Sequence, residues 1–184
     1  AAGLNPWLII AAAGATDTGA VDPLDAIATI AERERCWFHV DAAYGGFFLL
    51  TAHGRTLLRG IERSDSVVLD PNKSLFLPWG SGMVLVRDVA RLAATHAYEG
   101  SYMQDALREP GEVSPADVSP ELSKPFRALR MGLPAVLLGT RPFRAALEEK
   151  LLLARYFRRE IAHAGYEVGP EPEITVVTVR LAPP

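Results

Sequence analysis

The sequence predicts an α/β fold: a mostly parallel sheet with helices on both faces and one antiparallel strand. Three observations predict it. Short, continuous apolar runs have strand length, as in strands covered on both faces. They alternate with helical segments as β-α-β-α-β up to Asp70, the rhythm of parallel crossovers. After Asp70 the alternation breaks into a stretch rich in Pro, Asn and Gly with no helical period. A parallel crossover usually needs a helix, so the next strand is expected to run antiparallel.

The elements follow in order. Residues 7–13 form the first apolar run. Asp22-Pro23 supplies an N-cap with proline at the first helical position, and Leu24, Ile27, Ala28 and Ala31 mark one face of a helix reaching Arg35. Residues 37–41 are the second strand, 55–63 a short helix and 66–70 the third strand. Met83 to Arg87 is the antiparallel neighbour, followed by a short helix over 88–95. Residues 97–118 are long, polar and irregular, a loop length that is usually functional or mobile. A helix over 120–139 is interrupted near Pro134. Residues 141–164 form a strongly amphipathic helix stopped by Gly165, and 174–181, where Thr and Val alternate, is the last strand.

The chain has 184 residues, 49% hydrophobic and 22% charged, an ordinary globular mixture able to bury a sizeable core. A net charge of -3 gives no reason to expect nucleic acid or an anionic membrane surface as partner. One cysteine, Cys36, excludes a disulfide framework and fits a reducing compartment. No run reaches the ~18 apolar residues of a membrane span, and no basic start of a signal peptide is visible, so a cytoplasmic protein is expected.

Two segments carry the chemistry. His39-Val40-Asp41-Ala42-Ala43-Tyr44-Gly45-Gly46 ends an apolar strand with an acid, and Asp70-Pro71-Asn72-Lys73-Ser74 sets a lysine on a turn-rich stretch just past the next strand. Ligands of open α/β sheets bind at the carboxyl ends of strands. Alone, Asp41 reads as a capping or surface aspartate and Lys73 as a solvated lysine. Together they supply what pyridoxal phosphate needs. An amine forms a Schiff base with the aldehyde, and a buried carboxylate keeps the pyridine nitrogen protonated so that the ring accepts electrons. Apolar Leu75-Phe76-Leu77 is expected to desolvate the lysine.

These segments resemble the group II pyridoxal-phosphate-dependent amino-acid decarboxylases of fold-type I (aromatic amino acid, histidine, tyrosine and glutamate decarboxylases). The resemblance extends upstream through Gly14-Ala15-Thr16-Asp17-Thr18-Gly19 and downstream through Pro125-Phe126-Arg127-Ala128-Leu129-Arg130. It implies that Lys73 holds the cofactor, that Asp41 faces the ring nitrogen, and that Asp70 and Asn72 belong to the cofactor-binding set. Ala43 would pack against the ring. Thr16 stands at a cofactor-contacting threonine, although a turn role fits it equally well. Asn72 replaces the family's histidine; it can donate a hydrogen bond but carries no proton near neutral pH. Tyr102, on the family's mobile loop, would protonate the substrate carbon after carbon dioxide leaves.

The resemblance also implies a homodimer acting on a small amino-acid substrate. Family members are more than twice as long, so this chain is expected to be the central part of an enzyme. Residues 1–140 would belong to the cofactor-binding large domain, and 141–184 would form a connecting helix and the start of a small C-terminal domain. Rival readings are another fold-type I reaction (aldolase, transaminase or sulfur-transfer lyase) or a non-catalytic fragment. Gly14 to Gly19 has phosphate-loop spacing without the following Lys-Ser/Thr. His39, His53, His96 and His163 have no metal-ligand spacing, and His39 reads as structural. Arg127 and Arg130 either hold a carboxylate or solvate their face.

Overall fold

A computed structural model of the chain describes residues 3–96, 114–121 and 123–180. In order, the elements are β1 (Leu8–Ala12), α1 (Leu24–Glu34), β2 (Trp37–Asp41), a 3-10 turn over Gly46–Leu50, α2 (Ala52–Leu57), a 3-10 turn over Ile61–Arg63, β3 (Ser66–Leu69), α3 (Pro71–Ser74) and β4 (Met83–Val86). Then come α4 (Val89–His96), a 3-10 turn over Pro115–Val118, α5 (Leu129–Leu138), α6 (Arg141–His163), β5 (Glu167–Val168) and β6 (Val179–Arg180).

The first four strands make one sheet in the order β1-β2-β3-β4. β1 pairs with β2 and β2 with β3 in parallel, whereas β4 runs antiparallel to β3. This is the expected α/β architecture with its single antiparallel strand. In register, Ala12 lies opposite Asp41 and Asp41 opposite Val68, so three strands end at one edge of the sheet.

The two sheet faces are covered unequally. Side chains alternate across a strand, and Ala11, Ala13, Phe38, Val40 and Ala42 turn to one face, where they are buried with Leu24, Ala28 and Ala31 of α1 and with Leu58 and Ile61. Among the described residues, the other face is bordered by α4. Ile10 stays 62% exposed and Val84 53% exposed there, although β1 was expected to be covered on both faces. Its polar groups pair within the sheet: Trp37 Nε1 donates to Ser66 Oγ at 2.8 Å, and His39 Nδ1 lies 2.8 Å from the same hydroxyl.

Several element ends differ from the sequence pattern, each for a local reason. Asp22 does not cap α1. Its carboxylate accepts the Ala12 N–H at 2.7 Å, fastening the chain back to the end of β1, and the helix begins at Leu24. At its far end Arg35 adopts a left-handed backbone with φ 55°, returning its N–H to helix carbonyls. The helix expected over 55–63 is two short pieces. The region from Pro120 becomes helical only at Leu129, and Pro134 lies inside α5. Among the described residues, the alternating Thr and Val after Ile174 do not form a long strand: Val179 and Arg180 pair, with Val168 and Glu167.

A second buried cluster joins Phe47 and Phe48 after β2, Leu75 after α3, Leu147 and Leu151 of α6, and Ile174. Here the long helix and the C-terminal segment clamp the loops that leave the sheet edge. Among the described residues no helix is long and apolar enough to cross a membrane.

Candidate active site

The segments bearing Asp41 and Lys73 leave the sheet at one edge because β2 and β3 are adjacent and parallel. Past the last register pair, the Ala42 N–H still reaches the Val68 carbonyl at 3.1 Å, and the Asp70 N–H donates to the Ala43 carbonyl at 3.2 Å. The residue two beyond Asp41 is thus bonded to the residue three before Lys73. Asp70 then starts a helical turn that the sequence pattern did not anticipate. Its carboxylate accepts the Asn72 N–H at 3.1 Å and the Asn72 side-chain amide at 2.5 Å, with Pro71 in the first turn. Lys73 is the third residue of this turn, and its N–H donates to the Asp70 carbonyl.

Both candidate groups are open. The Asp41 carboxylate is exposed and accepts the Ala43 N–H at 3.1 Å. The Lys73 side chain is exposed, and its amine has no hydrogen-bond or ion-pair partner among the described residues. The expectation of a buried carboxylate and a desolvated lysine is therefore corrected for this chain. Asp41 is the terminal residue of its strand and projects from the sparsely covered face. In α3 and the two residues after it, Pro71, Ser74 and Leu75 take the buried side and leave Lys73 and Phe76 outside.

The loops around this pair are tightly fixed. Gly45 donates to the Ala13 carbonyl at 3.0 Å. A Cβ at Gly45 would collide with that same carbonyl and come within 2.7 Å of Ile174 Cδ1, and one at Gly46 would collide with Leu69 Cδ2. The Gly-Gly pair after Asp41 thus lets the loop close against the ends of β1 and β3. Ser74, 1% exposed, donates its hydroxyl to the Tyr44 carbonyl at 2.6 Å, tying the lysine turn to the Asp41 loop. The Tyr44 hydroxyl bonds Thr175 Oγ1 in the C-terminal segment. Lys73 lines a cleft of about 470 Å³ with Tyr44, Phe48, Lys150, Phe157 and Thr175; Asp41 is not on its wall.

The remaining expected residues are scattered. Ala43 takes part only through its backbone, as acceptor of Asp70 and donor to Asp41. Thr16 is exposed in a turn closed by the Gly19 N–H on the Ala15 carbonyl. Asn72 spends its side-chain amide on Asp70. Tyr102 lies outside the described residues. Arg127 pairs with Glu121 at 3.0 Å, and Arg130 donates to the Trp79 carbonyl, bracing the stretch beyond the lysine turn. Sequence reasoning missed Ser74 and Lys150. Lys150 Nζ donates to the Ser74 carbonyl at 3.2 Å and sits 3.8 Å from the centre of the Phe76 ring.

The donor set fits pyridoxal phosphate. A primary amine without a partner among the described residues, and a carboxylate whose bond is to the Ala43 N–H of its own loop, are carried by segments that leave adjoining strand ends, the two kinds of group that a pyridoxal ring takes at its aldehyde and its nitrogen. Fold and site together define the class as a pyridoxal-phosphate protein of the α/β type. The chain belongs to the pyridoxal-dependent decarboxylase family, whose conserved-domain model matches residues 1–182. Pyridoxal phosphate is that family's cofactor. Among curated relatives, it is 36% identical to the aromatic-L-amino-acid decarboxylase of Bacillus atrophaeus over 98% of this chain and 38% of that protein. It is 35% identical to the cysteine sulfinic acid decarboxylase of Mus musculus over 100% of this chain and 38% of that protein. The crystal structure of Oryza sativa TDC with PLP and tryptamine superposes with a TM-score of 0.89 at 29% identity, covering 96% of this chain and 36% of that one. Mouse CSAD in apo form gives 0.85 at 34% identity, covering 94% and 36%. The chain spans well under half the length of these relatives.

Proposed function

We propose that the protein carrying this chain decarboxylates an L-amino acid to its amine and carbon dioxide with pyridoxal phosphate. The observation that carries the reading is that the segments bearing Asp41 and Lys73 leave adjoining parallel strand ends and are tied by the Asp70–Ala43 bond. Lys73 would hold the cofactor covalently, its amine being uncommitted to any other group among the described residues. Asp41 would accept a hydrogen bond from the protonated ring nitrogen, a charge-assisted contact stronger than a neutral one. When bound, the cofactor supplies an electron sink for the carbanion left after carbon dioxide departs.

Asp70 and Asn72 would border the cofactor, with Asn72 pinned as a donor by its own contact to Asp70. Ala43 and Thr16 complete the proposed binding set. Tyr102 would hold a proton on its phenol and give it to the substrate carbon. Residues 1–140 are proposed as part of the cofactor-binding large domain, and 141–184 as the connecting helix and start of a small C-terminal domain; the separate β5–β6 pair supports this division. The protein is further proposed to be a cytoplasmic homodimer. The test is product analysis on the full-length protein with pyridoxal phosphate and a panel of aromatic and acidic L-amino acids. Amine and carbon dioxide in equal amounts, abolished by Lys73→Ala, are expected. Transamination products in place of amine would overturn the reading.

A further inference from the structure

Lys150 occupies a place in α6 where an apolar residue would be expected. Leu147, Leu151 and Ala154 are the buried stripe of this helix, and Lys150 falls within their spacing. A lysine that merely solvated the helix would extend its amine to water. Instead the amine turns inward to the Ser74 carbonyl and lies over the Phe76 ring, and no carboxylate pairs with it among the described residues. Burial pushes it below the usual lysine range, so the charge is held there against a desolvation cost. Its two contacts are what offset that cost: a cation over an aromatic face and a cation on a carbonyl.

Both contacts fall on the turn that carries Lys73. A helix leaves its last carbonyls without internal partners, and lysine amines commonly satisfy them. In α3 the carbonyl in question belongs to Ser74, the residue next to Lys73, whose hydroxyl is already fixed on the Tyr44 carbonyl. Two residues on, Phe76 adopts a left-handed backbone with φ 61°, a conformation that persists in an aromatic residue only when its surroundings hold it. Ser74 is therefore gripped from the strand side by Tyr44 and from the helix side by Lys150.

We propose that Lys150 is a positioning residue for Lys73: from α6 it caps the Ser74 carbonyl and braces Phe76, fixing the turn from which the Lys73 amine reaches the cofactor. The inference rests on the proposed role of Lys73 as the cofactor lysine. The test uses the full-length protein, with Lys150→Met removing the donor and Lys150→Arg keeping it. Three quantities are read: the pyridoxal phosphate dissociation constant by absorbance titration, the melting temperature of the cofactor-free protein, and kcat and KM separately.

Lys150→Met should weaken cofactor binding about tenfold, a loss of ~1.4 kcal/mol, and lower kcat more than it raises KM. Melting of the cofactor-free protein should stay at the wild-type value, and Lys150→Arg should recover most of the affinity. Wild-type affinity in the methionine variant overturns the inference. So does an affinity loss matched by lower melting and not restored by arginine, which would mean a purely structural lysine. Should the methionine variant not fold, Lys150→Gln is judged by the same criteria. Failure of the wild-type protein to take up cofactor on Lys73 overturns the underlying reading, whereas indifference confined to the variants overturns this inference alone.

Discussion

Replacing Gly45 by alanine adds one methyl group where the loop after Asp41 closes against the end of β1. The loop carrying Tyr44 turns back on β1 there, with the Gly45 N–H on the Ala13 carbonyl at 3.0 Å. The new Cβ would overlap that carbonyl oxygen, lie 3.0 Å from its carbon, and reach Ile174 Cδ1 at 2.7 Å. Ile174 can rotate away, but Ala13 is 0% exposed backbone at the end of a strand paired with β2, so the loop itself must move. Overpacking of this kind costs ~1–3 kcal/mol, and a buried backbone hydrogen bond stretched beyond use adds ~1–3 kcal/mol. Even the lower sum, about 2 kcal/mol, corresponds to a melting shift of about 4–8 °C for a domain of this size.

The assay is thermal and urea unfolding of the cofactor-free protein, with Gly132→Ala as the matched control. Gly132 lies in α5 with nothing within 4 Å of its Cβ position, so alanine there should stabilise the helix by ~0.5–1 kcal/mol. A Gly45→Ala protein melting within 2 °C of wild type, or a Gly132→Ala protein losing as much, would refute the packing argument.

Other predictions bear on the chemistry and on pH. Asp41→Asn keeps shape but loses charge, and turnover should fall ~10²–10³-fold, as when other charge-stabilising groups are removed; near wild-type turnover would mean that Asp41 does not face the ring nitrogen. Tyr102→Phe should leave cofactor absorbance unchanged but divert product in air from amine toward aldehyde and ammonia; an unchanged amine yield would assign the proton to another acid. The Arg63 guanidinium bonded to Glu32 at 2.7 Å holds that carboxyl below its usual range. A depressed carboxyl pKa contributes stability that is present above the unfolded value near 4.5 and lost as pH falls through the folded one. Arg63→Met should therefore flatten the acid-side loss of stability in urea titrations between pH 5 and 3, and an unaltered slope would contradict the pairing.

The pair at the centre of the site was legible because it depends on strand ends. Apolar runs of the right length locate β2 and β3, and parallel pairing then forces Asp41 and the residues before Lys73 onto one edge. What lay hidden depends on where polar side chains turn. Asp22-Pro23 and Asp70-Pro71 carry the same start signal, yet Asp22 bonds back to Ala12 while Asp70 caps a helical turn. Loop-like composition around Lys73 concealed that turn because it is only four residues long. Lys150 read as an ordinary residue of an amphipathic helix, although its spacing with Leu147 and Leu151 was a signal in plain view. The Val and Thr after Ile174 mimic a strand, but they spend their contacts on the loops at the sheet edge, as Thr175 does on Tyr44.

The most direct measurement is reductive trapping of the full-length protein with pyridoxal phosphate and borohydride, followed by peptide mass analysis. Lys73 is exposed, without a side-chain partner among the described residues, in the turn that follows β3, whereas Lys150 is committed to Ser74 and Phe76, and Lys124 donates to Ser119 and to the Pro115 carbonyl. A single pyridoxyl group on Lys73 is the expected result. Its appearance on Lys150, which lines the same cleft, or on Lys124 would contradict the assignment of the site.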